Sequence, residues 1–196
     1  MFGTKGINTQ QERRVSKYIS YGNNYLRIND ITVKTAQSGS KQLIFSMETP
    51  KVENPAFEPE LGFEGQVGKV AYPGSYVKLD NEKAVEEFNK GLAIIADKLG
   101  VRSQFDEINA ESFDEYVEKV KNLLINKYAH WAISGEEYIK ADGRVGTKLK
   151  TRRYKFIASQ EEGSEALGVF DPKQHYNVKR VDVPDAAPAP KDDLPF

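Results

Sequence analysis

A mainly β fold with a helical insertion is what the sequence predicts, on three observations. Short runs alternating apolar and polar residues come before residue 80 and return after residue 128. Between them the apolar spacing changes from every second residue to a helical stripe. The last fifteen residues, "DVPDAAPAPKDDLPF", are rich in Ala, Pro and Asp and carry no period at all. The order is three strands, helices, two strands and a tail. Within 196 residues it divides into a basic N-terminal arm (1–20), one folded domain (21–181) and a disordered acidic tail (182–196).

The elements run in chain order. The arm has weak periodicity, and Lys5, Arg13, Arg14 and Lys17 outnumber Glu12. "NYLRINDITVKTAQ" alternates as a strand, with Leu26 and Ile28 on one side and Tyr25 and Arg27 on the other. Its apolar parity shifts at Asn29-Asp30, because Ile31 and Val33 are odd-numbered, which calls for a bulge or a strong bend. "SGS" turns the chain into "KQLIFSMET", where Leu43, Phe45 and Met47 are in step, so the two strands form a hairpin. "PKVENPAFEPELGFEG" is a surface loop by its prolines and glutamates. "QVGKVAYPGSYVKLD" reads as a strand broken at Pro73-Gly74, with Val77 and Leu79 inward and Tyr76 and Lys78 outward.

A helix comes next, opened by Asp80 or Asn81 and closed by Gly100, with Val85, Phe88, Leu92, Ile95, Ala96 and Leu99 as its stripe. A second begins at Ser112, which has capping-box spacing to Glu115, and carries Phe113, Tyr116, Val120, Leu123 and Leu124. "HWAISGEEYIK" and "RRYKFIAS" return to strand chemistry on either side of a basic loop. Five strands with helices between the third and fourth match a five-stranded Greek-key barrel of the OB type, in which one long bent strand serves both sheets. A small α+β sandwich could carry the same string of elements.

Composition narrows the chemistry. The absence of cysteine excludes disulfides and thiolate zinc sites. His130 and His175 are the only histidines, and no carboxylates fall at ligand spacing, so neither a catalytic residue, a metal nor a cofactor is assigned. "GRVGTK" echoes part of a P-loop without its full spacing. The opening residues lack the apolar core of a secretory leader and "LAIIA" is too short to span a bilayer, so the expected location is cytoplasmic, with no membrane contact. The net charge of −1 hides an asymmetry. From residue 182 onward there are four Asp and one Lys; taking these from 29 acidic and 28 basic residues leaves 25 and 27, a body of net +2. "KADGRVGTKLKTRR" holds six cations against Asp142 alone. A basic loop beside an acidic tail points to a polyanion partner and an internal competitor for it.

The ending "DDLPF" resembles the acidic C-terminal tip of bacterial and phage single-stranded DNA-binding proteins, which typically ends in aspartates, an aliphatic residue, proline and phenylalanine. The match covers Asp192, Asp193, Leu194, Pro195 and Phe196. It implies an OB-fold body that binds single-stranded DNA without sequence preference in replication, recombination and repair. It further implies that the tip recruits a polymerase, primase, helicase or recombinase. The helical insertion is longer than in the simple bacterial form and the start lacks its usual sequence, which points to a phage-encoded member acting in a bacterial host cytoplasm. Homo-oligomerisation is left open. Physically, the Ala/Pro stretch is an extended stalk, and Leu-Pro-Phe offers a pre-ordered apolar anchor beside two charges.

Candidate DNA contacts combine cations with rings, because phosphates need charge and unpaired bases stack on aromatic faces. They are Lys140, Arg144, Lys148, Lys150, Arg152, Arg153 and Lys155, from the basic loop and the strand after it. Tyr25 and Arg27 on the first strand join Lys69, Tyr76 and Lys78 on the third, and the parity pattern makes Tyr25, Arg27, Tyr76 and Lys78 share one groove. Phe45, Phe88 and Phe113 belong to the core by their stripes, and Trp131 shares the parity of Ile133. Tyr154 and Phe156 share a face of the expected fifth strand. Two rival readings remain at this level: an OB-fold adaptor that holds no nucleic acid, and a metal-dependent nuclease built from dispersed carboxylates.

Overall fold

The computed structural model describes residues 18–50, 65–152, 154–169 and 178–179. Strands β1 (Gly22–Thr35), β2 (Lys41–Glu48) and β3 (Val67–Val77) are followed by helices α1 (Glu82–Lys98), α2 (Arg102–Asp106) and α3 (Phe113–Leu124). Then come β4 (Tyr128–Ile139), β5 (Val145–Thr151) and the short β6 (Ile157–Ala158), a 3-10 turn at Ser164–Leu167, and β7 (Val178–Lys179). The protein is mainly β, with its helices between the third and fourth strands.

Five strands pair in a ring. β1 pairs β2 and β2 pairs β3, both antiparallel; β3 pairs β5 in parallel; β5 pairs β4 and β4 returns to β1, antiparallel again. What closes the ring is the length of β1. Its first half, residues 22–27, pairs β4, and its second half, from Arg27, pairs β2. Between the halves the register slips: Ile28 faces Met47 and Asp30 faces Ser46, leaving Asn29 as the extra residue. That is the bulge the parity shift predicts, and it keeps Leu26, Ile28 and Ile31 all buried although their numbers change parity. The bend is also where α3 hands over to β4. Asn126 donates to the Ile28 carbonyl, Ile28 donates to that of Lys127, and Lys121 pairs with Asp30 at 2.9 Å.

Inward residues of the ring form one core with the helices. Leu43, Phe45, Val70, Trp131 and Ile133 are completely buried, and Phe88, Leu92 and Ile95 of α1 with Val120 and Leu124 of α3 join them. Trp131 meets Phe45 edge-on at 6.0 Å. Both long helices start where the sequence says. Asn81 accepts from the Ala84 amide, and Ser112 from that of Glu115, satisfying donors that a helix start leaves open. The Glu115 carboxylate reaches back to the Glu111 amide, so the expected reciprocal box closes one residue earlier than spacing alone implies. The short α2 has no apolar period long enough to announce it.

Four expectations are corrected. The break at Pro73-Gly74 is a bulge inside a single strand: Leu43 pairs Tyr72 and Lys41 pairs Val77, so residues 73–76 stand opposite Gln42. The Tyr72–Pro73 peptide is cis, and the Gln42 side chain donates to the Pro73 carbonyl. Leu79 is exposed rather than inward, because the strand ends at Val77 and residues 78–81 turn into α1. The fifth strand is Val145–Thr151, not "RRYKFIAS". Asp142-Gly143 makes a tight hairpin turn, with Gly143 at φ 79°, and pulls most of the expected basic loop into strand. Finally, residues 18–20 are not free arm: Ile19 is buried and donates to the Val67 carbonyl. The rest of the arm, the loop at 51–64, Arg153 and the tail at 182–196 lie outside the described residues.

Candidate functional site

The β4–β5 hairpin gathers four of the ten predicted cations, Lys140, Arg144, Lys148 and Lys150. Its turn is fixed by Lys140 donating to the Arg144 carbonyl and Gly143 to that of Lys140. Asp142 accepts from the Arg144 amide and guanidinium, so Arg144 is ion-paired, and the Asp142 carboxyl is held below its ordinary range, chiefly by that side chain. Cross-strand partners share a face of a sheet. Tyr138 therefore stands beside Gly146, Glu136 beside Lys148 and Ser134 beside Lys150. Lys150 is next to Ala71 of β3, which puts Lys69 on the same outer face two residues earlier. The Lys148 ammonium lies 4.9 Å from the Tyr138 ring centre. A side chain at Gly146 would meet both Tyr138 and Lys140 at 2.7 Å, so glycine there makes room for the ring.

Where β3 diverges from this hairpin a groove opens, about 560 Å³ in volume. β3 and β5 pair only at Val70–Leu149 and Ala71–Lys150, so the first residues of β3 and the tip of the hairpin are splayed apart. The chain at residues 18–21 lies in the gap as a strap. Tyr18 bridges to Val67 in parallel, Ile19 packs against Gly68 and the Tyr21 hydroxyl donates to Glu137 at 2.9 Å. A β-carbon at Gly68 or Gly135 would crowd Ile19 at 3.0 Å or Tyr21 at 2.9 Å, so glycine at both positions eases the seating of this strap. Tyr18, Tyr138, Lys69, Lys140, Val67 and Thr147 are among the lining residues. Tyr18 is 69% exposed. Rings, cations and a cleft thus come together at one place.

The other predicted residues are distributed elsewhere. Tyr25 stacks against Tyr128 at 5.6 Å and meets His130 at a tilt with ring centres 4.7 Å apart, and the Arg27 guanidinium lies 5.9 Å from the Tyr128 ring centre. Arg27 is ion-paired with Glu48. Burial raises the Tyr25 pKa, with the neighbouring Tyr128 adding to it, and burial lowers that of His130 against the pull of Glu165. Tyr76 and Lys78 do not share this surface. Arg27 is level with Glu48 on β2 and Val77 with Lys41, seven residues away, or roughly 23 Å along a strand. Arg152 is buried, and its guanidinium donates to the carbonyls of Tyr154, Lys155 and Leu167. Nε and Nη2 brace the chain, and Nη1 is buried without a hydrogen-bond partner among the described residues. Lys155 is exposed at a sharp bend, φ 45°, beside a second, smaller cleft of about 320 Å³ next to the Lys98–Glu162 pair. Tyr154 is exposed and Phe156 buried, so they share no face. Trp131 is core.

Sequence reasoning does not reach Tyr18 or Tyr128, and it meets Tyr138 only as a ring flanking the basic loop. A signal for Tyr138 is present in the sequence: it faces Gly146 once Asp142-Gly143 is read as the hairpin turn. Tyr18 carries none, because its strap has neither length nor alternation. Among the described residues no three His, Asp or Glu side chains converge as metal ligands would, and no helix is long and apolar enough to cross a membrane. The chain matches no model of a known protein family and no curated protein.

Proposed function

We propose that the protein is a single-stranded DNA-binding protein whose body is an OB-type barrel and whose last five residues, 192–196, recruit replication or repair proteins. The observation that carries this reading is the outer face of the β4–β5 hairpin, where Lys148 and Lys140 lie beside Tyr138 and Lys150 and the neighbouring Lys69 of β3 continue the same face. Cations along one face neutralise phosphates while a ring meets an unpaired base. Strand order supports it: a ring β1-β2-β3-β5-β4 with helices between the third and fourth strands is the OB order, and the β4–β5 loop is one that commonly holds nucleic acid. The ending "DDLPF" supports the recruiting role.

A labelled oligonucleotide titrated at several salt concentrations tests the binding. With Lys69, Lys140, Arg144, Lys148 and Lys150 as the phosphate contacts, log K should fall against log salt with a slope of about −3.5, at ~0.7 per contact. Single strands should bind more tightly than duplex. Salt-independent binding, or equal affinity for duplex, rejects the reading. Deleting residues 192–196 should leave the fold intact, tighten DNA binding modestly at low salt by removing a competing anion, and abolish capture of replication proteins. Unchanged capture by the truncated protein would remove the recruiting role and leave DNA binding standing.

A further inference from the structure

The groove between the strap at residues 18–21 and the β4–β5 hairpin is more specific than a charged surface requires. We propose that it receives one unpaired base of the bound strand, stacked on Tyr18 and walled on the hairpin side by Tyr138, with Lys69 and Lys140 taking the flanking phosphates. This rests on the single-strand reading and adds a defined subsite to it.

Three features carry the assignment. The first is size: about 560 Å³ lies within the range of small-ligand sites. The second is chemistry. An exposed tyrosine ring costs free energy by wetting its apolar faces, and here two partly or largely exposed tyrosines line one cleft with two exposed lysines. A flat aromatic group on an anionic backbone meets all four at once, whereas an apolar peptide or a neutral lipid would use the rings and leave the two cations without a role. The third is rigidity. Tyr18 is held by the buried Ile19 next to it, whose amide bonds Val67, and Tyr21 is anchored to Glu137. The ring is therefore presented on a fixed backbone, which reduces the entropy lost on stacking. On the hairpin side, Lys148 lies over Tyr138 in an exposed cation–π contact that a phosphate can readily exchange.

The test is a titration with a fluorescent oligothymidylate of about 16 nucleotides, the upper end of what one such barrel covers, beside an abasic oligomer of the same length. Tyr18→Ala should weaken oligothymidylate binding by between about 5- and 150-fold, the range for loss of one stacked base. It should leave abasic binding unchanged, since the phosphates are kept. Tyr18→Phe should bind both like the wild type. Tyr138→Ala should repeat the base-specific loss from the other wall, and thermal melts of each variant should match the wild type. Equal oligothymidylate affinity for Tyr18→Ala and wild type would overturn the subsite while leaving the single-strand reading intact. Equal losses on the two oligomers would overturn it too, by showing that Tyr18 acts on the backbone or the fold. Failure of the wild-type protein to bind either oligomer would overturn the subsite and the function together.

Discussion

Arg152→Ala is expected to destabilise the fold by about 3 kcal/mol and to leave the DNA affinity of the folded protein unchanged. The residue is only 4% exposed, and its guanidinium gives three hydrogen bonds to backbone carbonyls, at 2.6 to 2.7 Å. Those carbonyls belong to segments outside the long strands and helices. Tyr154 and Lys155 form the bend after β5, and Leu167 ends the 3-10 turn that packs on Ala132 and Ala158. Charged hydrogen bonds contribute about 1.5–3 kcal/mol each, and truncation leaves the acceptors unpaired in the interior. The sum is offset because removing the cation also removes its desolvation cost, the same burial that pulls its pKa below the ordinary arginine value. Arg152→Lys should recover little, since a single ammonium cannot reproduce the planar fork that reaches three carbonyls. Urea unfolding checks this as a lower midpoint at unchanged slope. An unchanged midpoint combined with weaker DNA binding would mean that Arg152 points outward after all.

The same residue marks where the sequence stops being legible. Arg152 reads as one more cation in "KLKTRR", because composition cannot tell a side chain that turns inward from its neighbours. Only the bend at Lys155, a backbone feature with no glycine to announce it, carries the guanidinium over the carbonyls. Features resting on period are readable. The parity shift at Asn29-Asp30 locates the bulge that lets β1 close the ring, and the stripes of α1 and α3 include the buried Phe88, Leu92, Ile95, Ala96, Val120 and Leu124 but miss Val117. Features resting on where distant segments meet are not. Tyr25 and Tyr76 share a pattern but stand at opposite ends of β2. Tyr18 and Tyr138 share no pattern, yet the strap brings them to one groove. The hairpin at Asp142-Gly143 falls between these cases: the turn signal is local and strong, but the surrounding charge reads as a loop.

Gly91→Ala is the second large effect, about 3 kcal/mol of lost stability, and it runs against local propensity. Alanine in the middle of a helix is worth about 1 kcal/mol more than glycine, so on sequence alone this change in α1 should stabilise. Packing reverses the sign. A β-carbon at Gly91 would lie 1.6 Å from the Tyr72 hydroxyl oxygen and 2.9 Å from the ring carbon bearing it. Tyr72 cannot swing away: it is buried against Phe45, Phe88 and Phe156, with ring centres 5.8 to 5.9 Å apart, and its hydroxyl donates to the Phe88 carbonyl one turn before Gly91. Relief therefore requires α1 to move off β3 or the aromatic cluster to repack, and overpacking of this kind costs about 1–3 kcal/mol, occasionally more. Tyr72→Phe alone should cost about 1 kcal/mol for the lost hydrogen bond. In the Gly91→Ala background the same change should instead restore part of the stability, because it deletes the atom at 1.6 Å and leaves only the ring carbon at 2.9 Å to be relieved. Thermal or urea melts of the four proteins give the coupling directly. If Gly91→Ala melts at or above the wild type, α1 does not approach β3 this closely and the account of the core at Tyr72 is wrong.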